Sequence, residues 1–124
     1  MVLTGDIEQI NKLLIPYRTG TCRIAYFSQT FRRLALILES KGLEEVIYLT
    51  GAGCEHIKGP FSFSAKSLVV KRDPENNSTI ISDESAGFEL ITIGGVALVK
   101  GRREQFSGSL EDLILDKSDF NVNV

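Results

Sequence analysis

Cysteine and histidine are scarce. Cys22 and Cys54 are the only cysteines in 124 residues, and His56 is the only histidine. Two cysteines do not make a disulfide framework, and the expectation is a pair of reduced thiols. Long apolar runs are also missing: none approaches the ~18 residues of a membrane-spanning helix. The first residues lack the basic-then-apolar layout of an export signal, so a cytoplasmic chain is expected. Charge of one sign is not in excess. Lys plus Arg number 14 and Asp plus Glu 16, a net charge of −2. That balance gives no ground to expect nucleic acid or an anionic membrane surface as a partner. Internal repeats and low-complexity tracts are absent as well.

What is present is ordinary globular material. Hydrophobic residues make up 43% and charged residues 24%, enough for one domain over residues 1–124 with a real core. Charge divides along the chain. Residues 1–103 carry +2 and residues 104–124 carry −4. The acidic end either meets basic groups such as Arg102 and Arg103 or simply stays solvated. Exposed ion pairs contribute only about 0–1 kcal/mol, which favours solvation.

Periodicity places the elements. Ile7, Ile10, Leu13 and Leu14 recur at helical spacing, so residues 6–16 are expected to form a helix. Asp6 and Gln9 have the spacing of a capping box, and Pro16 should stop the helix. From Thr21 the period becomes two, and residues 21–100 read as an antiparallel β region. Strands are expected at 21–28, 31–39, 45–50, 67–71, 78–82, 88–93 and 96–100. Residues 31–39 have helical composition, yet the short links on either side favour a strand. Asp73-Pro74-Glu75-Asn76-Asn77 is a turn, and Gly87 is placed to supply a positive φ. Gly94-Gly95 reads as a hairpin turn. Residues 51–60, with three glycines and a proline, read as an irregular connection. Ser109 could cap a short helix over 109–115, and residues 119–124 should fray. The expected fold is α+β and mostly β: about seven antiparallel strands in a sandwich or partly open barrel, flanked by two helices.

The chemistry-bearing residues cluster in one segment. Cys54 and His56 lie two apart in a glycine-rich stretch, where extended backbone would point both the same way. A neighbouring base can activate a thiol, but no third orienting residue can be named. A zinc set would need Cys22 as well, and the spacing matches no paired ligand motif. No catalytic residue beyond the candidates Cys54 and His56, no metal site and no cofactor is therefore expected. Gly51-Ala52-Gly53 lacks the following helix that a phosphate loop needs. Phe61 and Phe63 follow Gly59-Pro60 at alternate positions. Exposed they would make a binding patch; buried they would anchor the loop, which is the commoner fate of phenylalanine.

These features point to a non-enzymatic module that binds a protein partner or a second copy of itself. The contact surface would be a strand edge or the loop from Gly51 to Ser64, with Gly53, Cys54, His56, Phe61 and Phe63 as the binding candidates. A thiol-dependent enzyme or redox protein at Cys54 is the first alternative. A small-ligand binder near Phe61 and Phe63 is the second.

Overall fold

Side-chain alternation sets most of the architecture. The computed structural model describes residues 1–106; the expected helix at 109–115 and the tail at 119–124 lie outside them. In chain order the elements are β1 (Val2–Thr4), α1 (Ile7–Leu14), β2 (Thr21–Ser28), β3 (Arg33–Glu39), β4 (Glu45–Gly51), β5 (Cys54–Lys58), β6 (Ser62–Ser64), β7 (Leu68–Asp73), β8 (Ser78–Asp83), β9 (Phe88–Thr92) and β10 (Val96–Arg102). The fold is α+β and mostly β. Every strand pairing is antiparallel.

Two sheets form. One has the order β1-β10-β4-β3-β2-β6 and the other β5-β9-β8-β7. They pack as layers rather than closing into a barrel. Cys22, Leu34, Leu36, Leu38, Ile47, Leu49 and Leu98 of the first sheet share one buried cluster with Leu68, Val70, Ile81, Phe88 and Leu90 of the second. Ile10 and Leu14 of α1 join it. Each large aliphatic side chain taken out of water contributes roughly 1.5–3 kcal/mol, so this shared interior holds the layers together.

Several expectations need correction. The described residues contain ten strands, not about seven. The three extra ones, β1, β5 and β6, are short and lack an apolar alternation of their own. β5 lies within the stretch that reads as irregular connection. Gly94-Gly95 does not close a hairpin: β9 pairs with β5 and β8, while β10 pairs with β1 and β4. The glycine pair instead carries the chain from one layer to the other. Gly94 is needed there because a Cβ would come within 2.8 Å of the Ala52 carbonyl oxygen. The capping box is also replaced. Asp6 makes no side-chain capping bond. The Thr4 hydroxyl accepts from the Asp6 N–H at 3.1 Å and donates to Gln9 Oε1 at 2.8 Å.

Residues 33–39 are a strand, buried along both faces except at Glu39. The two neighbouring hairpins decide this over helical composition, pairing β3 with β2 and β4. Gly87 has φ 68° and closes the turn after Asp83. No helix among the described residues is long and apolar enough to cross a membrane.

Candidate functional site

Sheet edges carry unused backbone donors and acceptors, so each edge must be covered, shortened or used. β1 and β6, the edges of the first sheet, have three residues each. The β7 edge of the second sheet is covered by α1. Asn11 Nδ2 donates to the Val70 carbonyl at 2.8 Å, and the Val70 N–H donates to Asn11 Oδ1 at 2.9 Å. The primary amide thus stands in for a neighbouring strand. Among the described residues the β5 edge has no such cover: its last four residues are exposed and it pairs with β9 alone.

The opposite layer leaves an edge open at the same place. β6 pairs with β2 only over Thr21–Arg23. One more bond, Ile24 N–H to the Phe61 carbonyl at 2.9 Å, ends that contact. Beyond it, residues 25–28 have no strand partner on that side among the described residues. Gly59-Pro60-Phe61 carries the chain from β5 across to β6 and closes half of this side of the sandwich. The other half stays open as a slot of about 380 Å³. Its apolar walls are Ile24, Phe27, Leu34, Ile57, Phe61 and Leu90, with Cys54, Glu55 and His56 along β5.

The rim is conspicuously apolar. Phe27 is 51% exposed, Ile57 43% and Phe61 79%. Phe31 sits in the turn after β2, and its carbonyl accepts from the Gly53 N–H at 3.0 Å. Phe31 (φ 61°) and Arg32 (φ 46°) are both left-handed. That conformation costs a residue with a Cβ about 1 kcal/mol or more, so the turn is held in place by its surroundings. Gly53, with φ 62°, permits the close approach of Ile93 and Gly94 on its other side.

Cys54 and His56 both line the slot but engage different groups. The Cys54 thiol reaches the Gly51 carbonyl at 3.6 Å, while His56 Nε2 lies 3.9 Å from Glu89 Oε1. A bulge between Cys54 and His56 breaks the simple alternation that extended backbone would give. Burial pushes the Cys54 thiol up to about 11, opposed by the Leu34 N–H and the nearby Arg32 guanidinium. It is therefore a neutral, weakly polar lining group at pH 7 rather than a thiolate. Cys22 is fully buried in the core, and its thiol is pushed up to about 12, chiefly by burial and also by Asp83. Among the described residues no three His, Cys, Asp or Glu side chains gather as a metal-binding group.

No family model, curated protein or solved structure matches the chain. The functional reading therefore rests on this geometry alone.

Three of the five binding candidates from the sequence, Cys54, His56 and Phe61, meet in the slot. Gly53 does not line it; it lies one residue before β5. Phe63 does not reach it: the ring is buried and stacks on Phe88 at 4.8 Å. Phe61 and Phe63 do not share a side, because β6 begins only at Ser62. Sequence reasoning missed Ile24, Phe27, Leu34, Ile57 and Leu90, which only the pairing of the layers brings together. A larger cleft of about 510 Å³ lies near Tyr17, Glu45, Lys100 and Arg102. Its two basic side chains are ion-paired, Lys100 with Glu45 at 3.8 Å and Arg102 with Glu104 at 3.8 Å.

Proposed function

We propose that this chain is a small non-enzymatic protein-binding module whose contact surface is the slot between β2 and β5. The observation that carries the reading is the apolar rim. At about 200 Å² per phenylalanine, Phe27 and Phe61 leave about 260 Å² in water, and Ile57 adds to it. These side chains gather at one slot instead of lying scattered singly over the surface, which sets them apart from ordinary exposed apolar residues. The open strand edges on either side add backbone hydrogen bonding for an extended partner segment. The neutral Cys54 thiol fits an apolar contact better than nucleophilic work. Two free thiols suit a reducing, cytoplasmic setting, which belongs to the same proposal.

The test is selection from a displayed library of random peptides, with Phe61→Asp as the control. The expected result is enrichment of peptides with apolar residues at alternate positions, whose binding Phe61→Asp weakens at least tenfold. No enrichment over the control contradicts the reading. A second reading, a small apolar ligand in the slot, is favoured by its volume, which falls in the range of ligand pockets of roughly 300–1,000 Å³. It accounts less well for the outer face of Phe61, which is 79% exposed.

A further inference from the structure

We infer that residues 107–118 dock on the outer face of the first sheet as a third layer. This face is distinct from the slot, so the inference stands or falls apart from the binding reading. Three observations carry it.

The first is a covered apolar face. Leu34, Leu36 and Leu38 point into the shared interior, so Ala35 and Ile37 point the other way. The register extends them into two rows: Ile37 beside Tyr48 and Val99, and Ala35 beside Thr50 and Ala97. Ala35, Ile37, Val46 and Val99 are each 4% exposed or less, yet none belongs to the shared cluster. The second sheet and α1 pack on the opposite face. A large side chain standing off a sheet is shielded from above by a further layer, so this face carries one.

The second is the path of the chain. After β10, residues 103–106 turn back over the same face. The Phe106 ring meets Tyr48 edge-on at 4.8 Å, and a Cβ on Gly101 would come within 3.3 Å of that ring. The chain therefore leaves Phe106 already above the sheet. From β10 to β3 the face is two strand spacings wide, about 10 Å. The helix expected over 109–115 has about the same length and sets Leu110, Leu113 and Ile114 on one side.

The third is charge. Arg23, opposite Ile37 in the sheet, and Arg103 both pair with Glu39. Two guanidinium groups share one carboxylate, which leaves this margin of the face positive. Residues 107–118 carry Glu111, Asp112 and Asp116 against Lys117. An acidic segment with one apolar side complements the face, whereas a second copy of the face would bring arginine towards arginine.

Nuclear Overhauser NMR on the full chain tests this. The expected result is a set of cross-peaks between the methyl groups of Leu110, Leu113 or Ile114 and those of Ile37, Val46 or Val99. In a mixture of isotope-labelled and unlabelled chains, the filtered spectrum should show none of them, because the contact is within one chain. Leu113→Asp should remove the cross-peaks and shift the urea midpoint downward, while far-UV circular dichroism still reports the sheets. Absence of cross-peaks to residues 110–114 in the wild type overturns the inference. So do contacts seen only between labelled and unlabelled chains, which would make a second copy the cover, and so does a urea midpoint that Leu113→Asp leaves unchanged.

Discussion

Asn11 does with one side chain what a neighbouring strand would do with its backbone. Its amide both donates to and accepts from Val70. Asn11→Ala leaves a partly buried N–H and C=O without partners, and each such group costs about 1–3 kcal/mol. Urea unfolding should show a loss of about 2 kcal/mol; a loss below about 0.5 kcal/mol would mean that water replaces the amide at little cost. Cys54 makes a chemical prediction at the same scale. With its thiol pushed up to about 11, alkylation of the folded protein at pH 7.5 should be much slower than that of the unfolded chain. The rate should climb steadily towards pH 11. Equal rates in the two states would show that the slot does not shield the thiol. Gly59 is the third sensitive position. It has φ 119°, and a Cβ there would come within 2.8 Å of the Gly87 carbonyl oxygen and Phe88 Cα. Gly59→Ala should therefore lower stability by about 1–3 kcal/mol in the same assay.

Among the elements, the long strands could be read from sequence and the short ones could not. Leu34, Leu36 and Leu38 alternate, and so do Phe88, Leu90 and Thr92, because each set faces the shared interior. β5 reads Cys-Glu-His-Ile-Lys and packs only Cys54 against the core, too little for its composition to mark it as extended. Its strand conformation comes from pairing with β9. The Gly94-Gly95 turn was misleading for a related reason. Glycine pairs favour hairpins only when the two flanking strands belong to one sheet, and here Ala52 N–H to the Gly95 carbonyl and Gly94 N–H to the Ala52 carbonyl tie the two interlayer crossings together. The binding candidates divide along the same line. Cys54, His56 and Phe61 stood out for their chemistry and local glycines. Leu34 and Leu90 looked like plain core residues, and only the sandwich topology shows that their outer ends line a slot. Of the four sheet edges, α1 covers one and two are three residues long. The remaining edge, β5, has a bulge and charged side chains, devices that discourage indiscriminate strand pairing while still allowing a matched partner.

At the scale of the whole molecule, the buried thiols and phenols set an alkaline limit. Burial raises Cys22 to about 12 and Cys54 to about 11, and burial is also the largest cause of the raised values of Tyr17 and Tyr48. These groups keep their protons longer in the folded state than in the unfolded chain. Well below the ordinary thiol value of about 8.5 both states are protonated and the folded state keeps its full advantage. As pH rises from about 9 towards 12 the unfolded chain ionises first, and stability falls. Thermal unfolding should show Tm level from pH 7 to about 8.5 and dropping steadily above it; a Tm that stays level to pH 11 would contradict the burial of these groups.

The slot between β2 and β5 as the contact surface is the claim on which the functional reading stands. Amide hydrogen exchange with and without a peptide selected from the displayed library locates the contact directly. Slowed exchange confined to residues 25–28 and 54–61 is the expected pattern. Protection centred elsewhere, for instance on the cleft beside Lys100 and Arg102, or no protection at saturating peptide, would contradict it.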